Sequence, residues 1–238
     1  AEPEVQVQWL NDGTDRDAVG ATWGTPWPQG EVDAASEFTL ESESGTSLPV
    51  QSWPLAYWPD GSVKWTGHAI APLELNVGAL TLTPGDAVRS EQSIRIVENN
   101  GSIRVDTGVI QAVIAKSGDR LIQSITRDNR QTLNDGRLVI LSQNQAEPEV
   151  GQPLTVESFT GQLDQVTLEQ SGPVRAVVKL EGKHAGENGR AWIPFVVRLY
   201  FYAGDDSVRM VHTMIYDGDQ KTDFIRGVGV RLDRKSVV

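Results

Sequence analysis

Short apolar runs, each cut off by glycine or proline, restrict this chain more than any other feature. Val, Ile and Thr recur in runs of roughly five to ten residues, the length of strands. The 23 glycines and 12 prolines fall largely between those runs. No segment sustains a helical period. Gln51 to Ile70 comes nearest, and Pro54, Pro59 and Gly61 interrupt it. The expectation is an all-β protein, with candidate strands from Glu4–Leu10 through to Ser207–Asp217 and no repeat of fixed period. A length of 238 residues allows one large β domain or two small ones.

Charge divides the chain. Residues 1–60 hold eleven acids and a single base, Arg16, whereas the rest is nearly neutral, for a net charge of −11. Affinity for nucleic acid comes largely from Lys and Arg neutralising phosphates. A nucleic-acid partner is therefore not expected, and neither is an anionic membrane surface. No apolar run approaches the ~20 residues of a bilayer span. Cysteine is absent, which excludes disulfides, zinc–thiolate sites and cysteine nucleophiles. The three histidines, His68, His184 and His212, argue against a multi-histidine metal centre, so no metal or cofactor is assigned. The opening Ala-Glu-Pro-Glu suits a mature chain whose signal peptide has been removed, and the expected location is secreted or periplasmic.

The chain changes character near residues 84–102. Six of its seven tryptophans precede residue 66, and Pro84-Gly85-Asp86 and Asn99-Asn100-Gly101 are turn signals. These features divide it into a small Trp-rich β domain at 1–90 and a larger antiparallel β structure at 95–238.

In the first part, Trp58-Pro59-Asp60-Gly61-Ser62 reads as a turn: Pro presets φ, Asp bonds the backbone ahead, and Gly accepts positive φ. The flanking residues then form a hairpin that gathers Tyr57, Trp58, Trp65 and Lys64. Two readings fit. Trp58 and Trp65 form a platform whose faces stack on sugar rings, or these indoles fill the core of a small barrel. His68, among Gly67, Ala69 and Ile70, reads as structural.

In the second part, two apolar strands flank Gly204-Asp205-Asp206. A two-residue loop pairs Tyr202 with Arg209 and Leu199 with His212. Side-chain alternation then puts Arg198, Tyr200, Tyr202, Arg209, Thr213 and Asp217 on one face. Phe195, Val197, Leu199, Phe201, Met210, His212, Met214 and Tyr216 share the other. The first face suits a uronate carboxylate, because Arg offers a bidentate fork and Tyr a stacking ring with a hydroxyl. It suits a solvated arginine–carboxylate network equally. His212 and Tyr216 read either as core residues or as a base–acid pair at a cleft edge. Lys183 to Arg190 reads as a polar loop with His184 exposed to solvent. Asp217-Gly218-Asp219 with Asp223 reads as a turn or a weak cation site, and its spacing is not that of an EF-hand.

TWGTPWPQG, and then LPVQSWPLAYWPDGSVKW, resemble the N-terminal barrel of the exo-acting rhamnogalacturonan lyases and their YetA-like relatives. YAGDDSVRMVHTMIYDGDQKTDFIRGVGVRL resembles the opening strands of that family's central β-sandwich. The resemblance implies a RIFT-type β-barrel followed by an antiparallel β-sandwich. It also implies a truncated sandwich, with further domains of the same polypeptide, a helical toroid among them, as partners. The implied substrate is an acidic polysaccharide or oligosaccharide, cleaved by β-elimination. That reaction needs cations or donors on the carboxylate, a base for the α proton and an acid for the leaving oxygen. By chemical type, Arg198 or Arg209 suits the carboxylate, His212 or Lys221 the base, and Tyr216 the acid. A non-catalytic carbohydrate-binding or structural β module is the alternative.

Overall fold

The computed structural model describes residues 3–9, 20–72, 78–147 and 150–233. Among the described residues there is no helix, and the elements are all strands. The chain forms two compact units. Unit 1 comprises 1–95, 171–176 and 201–207, and unit 2 comprises 96–170, 177–200 and 208–238.

Unit 1 carries β1 (Val5–Val7), β2 (Ala21–Pro26), β3 (Phe38–Ser42), β4 (Ser47–Leu48), β5 (Gln51–Tyr57), β6 (Val63–Ile70) and β7 (Leu80–Pro84). One sheet has the order β1-β7-β3-β4 and the other β2-β6-β5. The alternation of Phe38 and Leu40 in β3, and of Leu80 and Leu82 in β7, turns one side of each strand into a core with Trp27, Val50 and Ile70. Each such side chain contributes up to about 1.5–3 kcal/mol through burial. The expected first strand, Glu4–Leu10, is shortened to Val5–Val7, and Leu10 lies outside the described residues.

Apart from the end residues Arg95, Ser171, Arg175, Ala176, Phe201 and Tyr202, which fall in unit 1, unit 2 carries β8 (Arg95–Glu98), β9 (Ser102–Asp106), β10 (Ile110–Ala115), β11 (Ser124–Arg127), β12 (Arg130–Leu133), β13 (Asp135–Gln143), β14 (Val156–Ser171), β15 (Arg175–Gly186), β16 (Ala191–Tyr202), β17 (Arg209–Met214) and β18 (Phe224–Asp233). A five-stranded sheet, β12-β11-β10-β9-β8, accompanies a six-stranded one, β17-β16-β15-β14-β13-β18. Ladder bonds of short bridges, Gly118 with Leu163 and Ile122 with Gly136, tie strands and connections together. Residues 234–238, on which the expectation of a truncated sandwich rests, lie outside the described residues.

Three local expectations are corrected. The β16–β17 hairpin is shifted by two residues, pairing Tyr200 with Arg209, Arg198 with Val211 and Val197 with His212. Its turn is wider than two residues: the Asp205 N–H donates to the Tyr202 carbonyl and the Asp205 carboxylate accepts from the Ser207 N–H. A shift of two leaves every side chain on its expected face. The stretch from Lys183 does not form a loop but continues β15 to Gly186. His184 is consequently buried rather than exposed, in line with Val178, Leu180 and Gly182.

Candidate functional site

In unit 1 the β5–β6 turn is built as its residue types require. The Trp58 N–H donates to the Ser62 carbonyl, the Gly61 N–H to the Trp58 carbonyl, and Gly61 has φ +88°. The Asp60 carboxylate accepts from the Ser62 hydroxyl and from Gln29, which holds its pKa below the ordinary value. Two indoles lie on the outer side of sheet β2-β6-β5 where glycine leaves space. Trp53 packs on Gly67, and Trp65 lies beside Gly24. Arg175 covers Trp53, its guanidinium 4.3 Å from the ring centre, and also donates to the Thr22 hydroxyl at 2.8 Å. Trp65 stays open, 40% exposed, and Tyr57 on the same hairpin is 52% exposed.

Trp58 differs from the open plate expected of it. Its indole N–H donates to the Trp27 carbonyl at 3.0 Å, and Lys64 Nζ stands 4.4 Å over its ring. His68 is buried in a relay: Trp27 donates to Thr66, Thr66 meets His68 Nε2 at 2.6 Å, and Ser52 meets Nδ1 at 2.8 Å. Burial pushes its pKa down to about 4.

In unit 2, Arg198 is held by Glu169, which lies 3.8 Å from Lys179, and Lys179 in turn pairs with Glu181 at 3.0 Å. The Arg209 guanidinium is 5.6 Å from the Tyr200 ring centre. Tyr202 belongs to unit 1, where it is buried. Its hydroxyl bonds the Thr22 hydroxyl at 2.9 Å and its ring packs against Gly20. That burial removes it from the open face on which alternation placed it.

The other side of β16 holds a node of buried polar groups. Ile193 has φ +49°, a conformation a β-branched residue rarely adopts. Its N–H donates to the Asp217 carboxylate at 2.7 Å, and its carbonyl accepts from His184 Nδ1 at 2.7 Å. Phe195 packs edge-on against both His184 and His212. Burial lowers the pKa of both histidines. His212 Nε2 is buried without a hydrogen-bond partner, and the Tyr216 hydroxyl donates to the Asp223 carbonyl at 2.8 Å. The two are thus not hydrogen-bonded to one another as a base–acid pair. Asp223 takes a bidentate pair from Arg190, at 2.7 and 2.6 Å, and accepts from the Asp219 N–H, while the Lys221 N–H donates to Asp219. The 217–223 segment is therefore an arginine-anchored turn. Its Arg190–Asp223 pair is not visible in the sequence, because the partners stand 33 residues apart, one just before β16 and the other just before β18. His184 was within reach, since the period of two runs through it.

Two family models match the chain: the PcRGLX-like N-terminal RIFT barrel domain over residues 3–85 and the PcRGLX-like protein central beta sandwich domain over residues 94–235. The chain belongs to the PcRGLX-like family. The all-β architecture agrees with a PcRGLX-like barrel followed by a sandwich, and the string WPDGSVKW that suggested the likeness spans the β5–β6 turn. The chain is also similar to the uncharacterized protein YetA of Bacillus subtilis (strain 168), with 36% identity over 229 residues. That match covers 96% of the chain and 27% of YetA.

Proposed function

We propose that this chain is the barrel and central-sandwich portion of a polysaccharide lyase that acts on rhamnogalacturonan-like, uronate-containing polysaccharide by β-elimination, in the periplasm or outside the cell. The succession of the two matched domains in one chain carries this reading, joined to the resemblance to exo-acting rhamnogalacturonan lyases. The elimination belongs to the full-length protein, since the chain spans 27% of the length of YetA. This portion supplies sugar contacts. Trp65 and Tyr57 offer open aromatic faces to the C–H faces of sugar rings. Arg209, over Tyr200, offers a guanidinium to a uronate carboxylate. A base must reach the proton it removes, and Nε2 of His212 is buried.

Titration of the purified chain with rhamnogalacturonan oligosaccharides by calorimetry, with absorbance of the unsaturated uronate followed in parallel, tests the reading. Saturable binding that Arg209→Ala weakens about tenfold, without a rise in absorbance, is expected. Steady turnover by the chain alone overturns the division of labour. Binding that is equal for a neutral glucan overturns the uronate substrate.

A further inference from the structure

The three histidines of this chain sort into two kinds. His68 has both ring nitrogens bonded, to Ser52 and Thr66. His184 and His212 each bury an Nε2 that has no hydrogen-bond partner. A buried polar atom without a partner is uncommon and calls for an explanation. The tautomer of His184 follows from its other contact. The Ile193 carbonyl can only accept, so Nδ1 carries the proton and Nε2 presents a lone pair. Donation of one ring N–H to a backbone carbonyl is the arrangement that orients a metal-ligating histidine. Here the carbonyl is itself fixed, because the Asp217 carboxylate holds the Ile193 N–H on its other side.

The second histidine brings unusual company. The chain has only two methionines, Met210 and Met214, and they stand two residues to either side of His212 on β17. Alternation puts all three on one face, opposite Leu199, Val197 and Phe195 of β16. The His184 and His212 ring centres are 6.3 Å apart. With metal–nitrogen bonds of about 2.0–2.1 Å, two imidazoles sharing one ion through Nε2 sit roughly 5–6.5 Å apart. The upper end of that range corresponds to a nearly linear arrangement. His184 is fully buried, whereas Met210 and Met214 are 37% and 43% exposed, so the cluster opens at the sheet edge and an ion has a way in.

We propose that His184, His212 and the flanking thioethers of Met210 and Met214 form a binding site for one soft monovalent cation, copper(I) or its analogue silver(I). Thioether and imidazole are the ligand types that favour such an ion over magnesium, calcium or manganese. No Asp or Glu is needed, and the described residues contain no cluster of three or more His, Asp and Glu able to hold a metal. The site is independent of the lyase reading, because neither ligand set uses residues of the other.

The test is titration of the full chain with silver nitrate in chloride-free buffer, followed by native mass spectrometry and by NMR of the methionine Cε methyls and imidazole Cε1–H groups. One ion per chain is expected. Both methyls and the His184 and His212 signals should move together, while His68 stays still. The double variant Met210→Leu with Met214→Leu keeps volume and apolarity, and its thermal unfolding confirms that it folds. It should bind silver about tenfold more weakly or worse. The proposal is overturned by no saturable binding, by binding that the double variant retains, by shifts confined to His68, or by zinc(II) displacing silver at equal concentration.

Discussion

Two hydrogen bonds, 2.8 and 3.0 Å long, join the Arg198 guanidinium to both oxygens of the Glu169 carboxylate. The pair holds the Glu169 carboxyl below its ordinary pKa, with the Arg198 hydrogen bond as the largest cause. Both groups keep part of their surface in water, so Glu169→Gln should cost no more than about 1 kcal/mol at neutral pH. The depressed carboxyl contributes its stability above the unfolded-state value near 4.5 and loses it on acidification. The variant should therefore lose less stability than the parent below that pH, which denaturant titrations will show. The same change releases Arg198, and oligogalacturonate binding should strengthen.

His68 sets a second pH dependence, with the sign worked out from its neutral buried state. Folded, it takes up a proton only near pH 4, whereas the unfolded chain does so near 6.5. Between those values the unfolded state binds more protons, so stability is full above about 6.5 and falls as pH drops toward 4. The total is about 3 kcal/mol. Urea midpoints measured across that window should slope accordingly, and His68→Gln should flatten the slope.

Close strand packing makes Gly182 the least replaceable glycine in β15. A Cβ there would overlap the Gln162 carbonyl of β14, a backbone atom that cannot move alone, and would press on Phe195. Gly182→Ala should cost about 3 kcal/mol or more. In β18, a Cβ at Gly227 would meet nothing closer than Leu141, at 3.9 Å. Gly227→Ala should be neutral, or stabilising by up to about 1 kcal/mol. Thermal unfolding of the two variants checks the contrast.

Trp65 and Trp53 stand on neighbouring strands of one sheet, yet their replacement should read out differently. Trp53→Ala removes the ring clamped between Gly67 and Arg175 and should cost about 3 kcal/mol. Trp65→Ala should cost about 1 kcal/mol or less and abolish oligosaccharide binding. Unfolding curves and calorimetric titrations of both proteins separate the two roles.

Strand period and turn chemistry made the β fold and the β5–β6 hairpin legible in the residues alone. Faces were readable too, because Phe195, Val197 and Leu199 alternate without interruption. Register was not. A one-residue slip would have moved Arg198 into the core, but a slip of two costs nothing in patterning, and only the wider turn at Gly204–Ser207 decides it. Glycine hid β2 and β18, where Gly24, Gly227 and Gly229 leave the alternation blank. The fates of Trp58 and Tyr202 depend on Trp27 and Thr22, contacts from distant sequence that no local pattern contains.

The six-stranded sheet has β17 and β18 as its outer strands among the described residues. Met210, Val211 and Met214 on one rim, and Val228 and Leu232 on the other, are exposed. Bare rims of this kind are templates for edge-on growth between molecules. Concentrated stocks should accordingly string together into oligomers and cloud on storage, and a lysine in place of Val211 or Val228 is the simplest way to keep the protein in solution.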